Sequence, residues 1–147
     1  MTRVSKENYY LNIAEAVSQR STCLRRKYGA VIVKDDVIVA TGYNGSPRKE
    51  PNCCDLRICE REKLNVPKGE RYELCKAVHA EQNALIQANR DELQGATIYI
   101  TGLEMDSSYA NPMPCKLCSK MLKNSGVKTV IGRFNQEEYF KREVKEL

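Results

Sequence analysis

Four segments between residues 79 and 132 decide the fold: HAEQNALIQANR (79–90), ATIYIT (96–101), CKLCSKMLKNSG (115–126) and VKTVIG (127–132). The first is amphipathic, with Ala80, Ala84 and Ala88 along one helical face. The third follows Pro114 and ends at Gly126, which are typical of a helix start and of a C-terminal cap. The second and fourth have the β-branched residues that strands favour. Helices and strands therefore alternate.

The N-terminal part adds a helix and a hairpin to this alternation. Residues 6–20 carry apolar side chains at helical spacing, namely Tyr10, Ile13, Ala14 and Val17. GAVIVKDDVIVAT (29–41) has two β-branched runs around Lys34-Asp35-Asp36, which predicts a β-hairpin. GYNGSP (42–47) has turn chemistry that ends the second strand. The complete order predicts an α/β sandwich around one mixed sheet.

Three segments remain outside this pattern. Residues 48–77 are polar, contain four cysteines, and form a loop whose length needs a reason to be ordered. Residues 102–114 are expected to form a second loop. Residues 135–147 are predicted to form a short charged helix.

Length and composition indicate one globular unit. The chain has 147 residues, so we treat residues 1–147 as a single domain. Hydrophobic residues make up 41% and charged residues 29%. No apolar run approaches the roughly 20 residues that span a bilayer, and the N-terminus lacks the apolar stretch of a signal peptide. We therefore expect no membrane partner and a cytoplasmic location.

The net charge of +5, from 24 basic and 19 acidic residues, is weak evidence about partners. It could suit a phosphorylated substrate or nucleic acid. The basic residues are scattered, however, and the chain has no tryptophan to stack on bases. A solvated surface explains the charge better, so a small-molecule partner is expected and nucleic acid is not.

Seven cysteines are unusual in a chain expected in a reducing compartment, where disulfides are rare. Any single one can be a small buried apolar residue. Clustered cysteines more often bind metal or do chemistry. The seven are Cys23, Cys53, Cys54, Cys59, Cys75, Cys115 and Cys118.

Three residues at predicted helix starts have the chemistry of a zinc site. Cys115 and Cys118 are three residues apart, so their sulfur atoms share one helical face. The helix N-terminus also stabilises thiolates. His79, the single histidine of the chain, opens the preceding helix. One imidazole and two thiolates leave the fourth position of tetrahedral zinc open, as in catalytic sites.

Glu81 lies two residues beyond His79 and is expected to move protons rather than bind the metal. It can take a proton from the attacking water and pass it to a ring nitrogen and then to the leaving amine. The order H-x-E followed by P-C-x-x-C is the known signature of zinc deaminases. The sequence thus predicts that metal-activated water attacks an amidine carbon and ammonia leaves.

Five segments resemble the deoxycytidylate (dCMP) deaminase group of the cytidine deaminase superfamily: GAVIV (29–33), TGYNGSP (41–47), NCCD (52–55), HAEQNA (79–84) and PCKLC (114–118). The resemblance implies a three-layer α/β/α sandwich with a mixed central sheet. It also implies hydrolysis of dCMP to dUMP and ammonia by attack at C4 of the ring. Family members are commonly homo-oligomers, often hexamers, and some respond to dCTP and dTTP.

The resemblance also implies that Asn44 contacts the bound nucleotide. The sequence around Asn44 alone fits a turn residue with a left-handed backbone, beside Gly45. The two interpretations are compatible, and we favour the substrate contact.

Some family members carry a second, structural zinc, and the resemblance assigns two of its ligands to Cys23 and Cys53. Those proteins complete the site with a histidine and a glutamate, but this chain has no second histidine. Our hypothesis is that Cys75 and either Cys54 or Cys59 complete a four-cysteine site. A closed tetrahedral zinc would attach the 48–77 loop to the first helix.

Two features leave the substrate open, namely the insert before Pro114 and the short, charged C-terminus after Gly132. Residues 102–113 connect strand and Pro-Cys over a longer distance than in most family members, and this insert must border the active site. Its polar residues include Ser107, Ser108, Tyr109 and Asn111. Arg25, Arg26 and Lys27 could bind a phosphate, although surface exposure is the commoner role.

Two alternatives to a dCMP deaminase stay open. One is a deaminase of another nucleoside, nucleobase or nucleic-acid base, and the other is a non-catalytic zinc-stabilised binding module.

Overall fold

The computed structural model describes residues 2–67, 75 and 77–147. Its centre is a five-stranded sheet in the order β2-β1-β3-β4-β5. The strands are β1 (Arg26–Lys34), β2 (Val37–Tyr43), β3 (Thr97–Glu104), β4 (Thr129–Arg133) and β5 (Tyr139–Glu143). β3 and β4 are parallel, and the other neighbouring pairs are antiparallel. The sheet is therefore mixed, as predicted.

The helices lie on both faces of this sheet. They are α1 (Lys6–Ser18), α2 (Cys53–Leu56), α3 (Glu60–Lys63), α4 (Ala80–Gln87), α5 (Arg90–Leu93) and α6 (Lys116–Ser125), with a final 3₁₀ turn at Val144–Glu146. Successive strand residues point to opposite faces. Val31 and Tyr99 pack with the α1 side, whereas Ile32 and Ile98 pack with Ala84 of α4 and Leu122 of α6. The predicted three-layer α/β/α sandwich is confirmed.

Two glycines allow the helices to lie directly on the strands. A Cβ atom at Gly29 would lie 2.0 Å from the carbonyl oxygen of Ala14 in α1. A Cβ atom at Gly42 would lie 2.4 Å from the Ala80 carbonyl oxygen and the Ala84 nitrogen in α4. Real Cβ atoms do not approach backbone so closely, so both helix positions depend on the missing side chains.

The β1–β2 hairpin turns at Asp35 and Asp36, as predicted. Both residues have positive φ angles, 50° and 62°, which fits a two-residue type I′ turn. The Tyr10 hydroxyl donates to Asp36 Oδ1 at 2.6 Å and thereby attaches α1 to this turn. The hydrogen bond raises the pKa of Tyr10 to about 12.

Several element boundaries differ from the sequence-based expectations. The predicted 79–90 helix ends at Gln87, because Ala88 is extended, and α5 follows after Asn89. The predicted loop at 48–77 contains the short helices α2 and α3. Strand β3 continues three residues into the predicted insert, to Glu104. On α1, the buried side chains are Tyr10, Leu11, Ala14 and Ser18, whereas Ile13 and Val17 are half-buried.

The prediction of a C-terminal helix is wrong. Residues Tyr139–Glu143 form β5, which pairs antiparallel with β4 at the sheet edge. Tyr139 and Phe140 point to opposite faces and pack against the two different core clusters. Phe140 lies over Gly132, where a Cβ atom would be 2.3 Å from its ring. Burial of this alternating aromatic pair outweighs the helical tendency of the charged neighbours.

None of the helices in the described part of the chain combines the length and apolar character that crossing a membrane requires.

Candidate active site

His79 is held at the start of α4 by its backbone. Its N–H donates to Gln82 Oε1 at 2.9 Å, so the Gln82 side chain caps the helix. The preceding residue, Val78, forms a two-way backbone bridge with Gly45. This bridge attaches the start of α4 to the turn that follows β2. The imidazole is therefore oriented at the sheet end.

Cys115 and Cys118 meet His79 from the start of α6. Cys115 is the N-cap residue, and its Sγ accepts from the Cys118 N–H at 3.5 Å. The two helices touch, and Gln82 Nε2 donates to Met121 Sδ at 3.5 Å. The predicted helix starts thus lie side by side, as the zinc hypothesis requires.

The distances fit a zinc ion. His79 Nδ1 lies 3.5 Å from Cys115 Sγ and 3.3 Å from Cys118 Sγ. Tetrahedral zinc, with Zn–N of about 2.0 Å and Zn–S of about 2.3 Å, would set nitrogen and sulfur about 3.5 Å apart. Among the described residues, these three form the one group of three donor atoms within 4.8 Å of one another.

The environment also favours deprotonation of one thiol. Hydrogen bonds from Cys118 and His79 lower the pKa of Cys115 to about 4. The same hydrogen bond and burial raise the pKa of Cys118. The hydrogen bond to Cys115 raises the pKa of His79. Cys115 is thus the thiol that ionises first, and metal binding releases the remaining protons.

Glu81 lies in the first turn of α4 beside these donors. It is only 7% exposed. Burial raises the pKa of its carboxyl group, while the nearby His79 imidazole acts in the opposite direction. A carboxyl group whose pKa is raised in this way holds an accepted proton more readily than an exposed one, which suits a group that takes up and returns protons.

His79, Glu81 and Cys115 line a cavity of about 270 Å³, whereas Cys118 is buried behind them. This volume is close to the lower end for small-molecule sites, roughly 300 Å³. The walls are formed by Asn44, Tyr28, Ile100 and the segment Asn111–Pro114. The cavity therefore extends from the metal-binding donors to the predicted insert.

Asn44 lines the cavity, but its amide is mainly engaged with β1. Oδ1 accepts from the Tyr28 N–H at 2.9 Å, and Nδ2 donates to the Arg26 carbonyl oxygen at 3.0 Å. Its φ angle is not positive, so the expectation of a left-handed backbone is wrong. One amide proton of the NH₂ group remains for a bound molecule.

Arginines lie at the same cavity, contrary to the expectation of simple surface exposure. Arg25 and Arg26 both line it, whereas Lys27 does not. Arg25 Nε lies 3.2 Å from Glu62 Oε1, and Arg26 Nε lies 3.0 Å from Glu104 Oε1. The cavity walls thus carry cations as well as the buried Glu81.

Four of the remaining cysteines also line this cavity: Cys23, Cys53, Cys59 and Cys75. Burial raises the pKa of Cys53 to about 11 and also raises the pKa of Cys75. Cys54 is exposed, and its Sγ donates to the Thr22 carbonyl oxygen at 3.1 Å. Cys59, rather than Cys54, therefore lines the cavity together with Cys23, Cys53 and Cys75.

The predicted insert borders the cavity through its second half. Asn111, Pro112 and Met113 line the cavity, as expected, and lead into Cys115. Ser107 and Ser108 are exposed. Tyr109 forms an isolated β-bridge with Leu103. The insert is thus a small hairpin folded back on the end of β3.

Sequence reasoning missed two cavity residues, Tyr28 and Arg61. The Tyr28 hydroxyl donates to the Asn111 carbonyl oxygen at 2.8 Å, across the cavity wall. Arg61 is 5% exposed and donates to the Pro67 carbonyl oxygen at 3.0 Å. The alternation of strand β1 could have indicated Tyr28. Nothing in the charged segment EREK distinguishes Arg61 from a solvated side chain.

Comparison with known proteins agrees with this geometry. The family model for the cytidine and deoxycytidylate deaminase zinc-binding region matches residues 4–133. The deoxycytidylate deaminase of Mycobacterium phage D29 is 39% identical over 137 residues, covering 89% of this chain and 96% of that protein. The deoxycytidylate deaminase of Schizosaccharomyces pombe is 33% identical over 88% of this chain, which spans 37% of that longer protein.

A solved structure gives the same result. The dCMP deaminase of cyanophage S-TIM5, crystallised in complex with dCMP and dUMP, superposes with a TM-score of 0.62 and 31% identity. The superposition covers 90% of this chain and 84% of the phage protein. Sequence, fold and donor geometry lead to one assignment: the chain belongs to the cytidine and deoxycytidylate deaminase family.

Proposed function

We propose that the chain is a zinc-dependent hydrolase that converts dCMP and water to dUMP and ammonia. The observation that carries this proposal is a His/Cys/Cys donor group beside a cavity that is lined by a buried glutamate and by arginines. The donor group and the glutamate suit an amine on a ring, and the arginines suit a phosphate. A nucleotide such as dCMP carries both on one molecule. The similar phage and yeast deaminases support the same substrate.

His79, Cys115 and Cys118 would hold the zinc. When bound there, zinc lowers the pKa of a water molecule and polarises it for attack at C4 of the cytosine ring. The structure brings three donor atoms together here, so a tetrahedral zinc would keep one position for water.

Glu81 is proposed to move the protons of the reaction. It takes one proton from the attacking water and delivers it to the ring nitrogen N3. It then transfers the second proton to the amine, which leaves as ammonia. Burial supports this role because it raises the pKa of Glu81, so the carboxyl group holds an accepted proton more readily than an exposed glutamate does. Proton uptake and release then balance within one turnover.

Asn44 is proposed to contact the bound nucleotide with its remaining amide proton. The two hydrogen bonds with β1 fix the plane of the Asn44 amide, so the remaining N–H points in one fixed direction. A substrate hydroxyl or carbonyl oxygen can accept it.

A substrate panel tests the proposed function. The zinc-loaded protein is incubated with dCMP, deoxycytidine, cytidine, cytosine and a cytosine-containing single-stranded DNA, while ammonia release is measured. We expect dCMP to give the highest kcat/KM. Turnover of another panel member with none of dCMP would reject the substrate. No turnover of any member would favour a non-catalytic zinc module.

We also propose a second, structural zinc held by Cys23, Cys53, Cys59 and Cys75. The four thiols lie around one part of the cavity, although metal binding has to draw their sulfur atoms closer together. Metal analysis of the purified protein should give two zinc ions per chain. Cys59→Ser should retain one, whereas the control Cys54→Ser should retain two. One zinc in the unchanged protein would contradict this site.

Assembly and location complete the proposal. Ile86, Leu117 and Met121 are exposed apolar side chains on the neighbouring helices α4 and α6, and they support a homo-oligomer, such as a hexamer. Cysteines proposed as metal ligands rather than disulfide partners support a reducing compartment, the cytoplasm. Sedimentation analysis of the zinc-loaded protein tests assembly, and a monomer at micromolar concentration would contradict it.

A further inference from the structure

We propose that Glu104 is a positioning residue that acts through Arg26 to select a nucleotide over the corresponding nucleoside. The inference rests on the proposed function, because the phosphate group enters as part of that substrate. Glu104 lies at the end of β3, within the insert that leads to the zinc helix. The insert would thereby determine substrate charge without contacting the reacting ring.

The contact between the two side chains is well defined. Arg26 Nε donates to Glu104 Oε1 at 3.0 Å. The side chains are 22% and 33% exposed, so this ion pair is shielded more than a surface pair. The Glu104 carboxylate also raises the pKa of Arg26, although burial acts in the opposite direction.

Arg26 is held at its backbone as well as at its side chain. Its carbonyl oxygen accepts from Asn44 Nδ2 at 3.0 Å, and β1 begins at this residue. A guanidinium fixed at both ends loses less conformational freedom when it binds an anion. The Asn44 and Glu104 contacts therefore prepare Arg26 before the substrate arrives.

A carboxylate beside Arg26 either helps the guanidinium bind a phosphate or competes with the phosphate for it. Which of the two holds depends on the edge of the guanidinium that the Glu104 carboxylate occupies. Glu104 occupies the Nε edge of the guanidinium, and within the described part of the chain the two terminal nitrogens have no hydrogen-bond partner. The terminal edge of an arginine can bind two oxygens of one phosphate group. Glu104 thus orients Arg26 without occupying the edge that a phosphate needs.

Product binding tests the inference independently of turnover. Calorimetry measures the affinity of the zinc-loaded protein for dUMP and for deoxyuridine. Glu104→Gln should weaken dUMP binding about fivefold and leave deoxyuridine binding unchanged. In steady-state assays, the KM for dCMP should rise by a similar factor with kcat unchanged. The control Glu143→Gln removes the same charge from an exposed pair with Lys145 and should change neither.

A double-mutant cycle tests whether Glu104 acts through Arg26. Arg26→Gln should weaken dUMP binding about 10- to 100-fold, and adding Glu104→Gln should cause no further loss. Unchanged or tighter dUMP binding by Glu104→Gln, an equal loss for deoxyuridine, or additive effects would overturn the inference. Unchanged protein that binds dUMP but does not deaminate dCMP would reject the proposed function instead.

Discussion

Glu81 is the buried carboxyl group on which the proposed proton transfers depend. Glu81→Gln keeps the size and removes the titratable oxygen, so kcat for dCMP should fall about 10²- to 10⁴-fold. Zinc content should stay unchanged, because Glu81 is not among the three metal donors. Ammonia release and metal analysis on the same sample measure both quantities.

A matched control separates this effect from a general loss of charge. Glu137→Gln changes an exposed glutamate outside the cavity and should retain full activity. Equal activity of the Glu81 and Glu137 variants would contradict the role of Glu81.

Arg133 is a buried cation that the proposed chemistry does not use. It is 1% exposed, with Nη1 3.6 Å from Glu15 Oε1 and Nη2 3.1 Å from Asn8 Oδ1, so it joins β4 to α1. Arg133→Met leaves these partners without their cation and should destabilise the fold by about 3 kcal/mol. Urea unfolding measures the change, with the exposed Lys145→Met as control. Equal stability of both variants would refute this expectation.

At the residue scale, the sequence identified the His/Cys/Cys group that the structure brings together, but not the contacts around it. Zinc deaminase chemistry restricts the spacing of its residues, so that spacing alone singles out four positions: His79, Glu81, Cys115 and Cys118. The roles of Glu104 and Arg133 depend on contacts with residues distant in the chain. No local pattern distinguishes such charges from solvated ones, so only the fold identifies them.

Gly42 is the element-scale determinant of where α4 lies. A side chain at this position would meet the helix backbone, so Gly42→Ala should displace α4 and cost about 1–3 kcal/mol. Zinc content and activity should fall with stability, because His79 caps that helix. Gly45→Ala is the control, since its Cβ atom would meet side chains rather than backbone, the nearest being the Thr22 hydroxyl at 3.2 Å. An undisturbed zinc content in Gly42→Ala would contradict this view.

The contact between α1 and the β1–β2 turn should depend on pH. Hydrogen bonds from Tyr10 and Lys6 lower the pKa of Asp36. Because its folded pKa is lowered, the carboxylate stabilises the fold above its ordinary pKa of about 4. This contribution is lost as pH falls through the lower folded pKa.

Asp36→Asn should remove that pH dependence. The stability difference between the two proteins, measured by urea unfolding from pH 6 to pH 3, should therefore shrink as pH falls. A constant difference across this range would show that Asp36 titrates equally in folded and unfolded chains.

The elements that the sequence predicted well are those with strong local signals. The β1–β2 hairpin has two aspartates in its turn, and α6 has both a proline before it and a glycine cap. Strand β5 lacks such a signal, because its pairing with β4 and the packing of Phe140 over Gly132 are tertiary effects. The local sequence of β5 favours a helix, but packing of its aromatic side chains against the core stabilises a strand instead.

At the scale of the whole molecule, zinc should act as a structural link between α4 and α6. Its donors come from segments on either side of β3, so removing it should release both helix starts. When free zinc is initially present at about a thousandfold its Kd, removing it by chelation should lower the Tm by about 10 °C. Differential scanning calorimetry before and after chelation, with zinc added back, measures this change. An unchanged Tm after complete metal loss would contradict it.

The order of strands in the sheet also determines when the active site can form during folding. The β1–β2 hairpin is local, but the other edge of β1 pairs with β3, for example Gly29 with Thr101. Such non-local pairing carries a loop-closure cost and is slow compared with hairpin formation. The proposed zinc donors flank β3 in sequence, so we expect them to meet once that strand has entered the sheet. We therefore expect zinc to be bound late in folding, so the zinc content of newly made protein should report on completed assembly of the sheet.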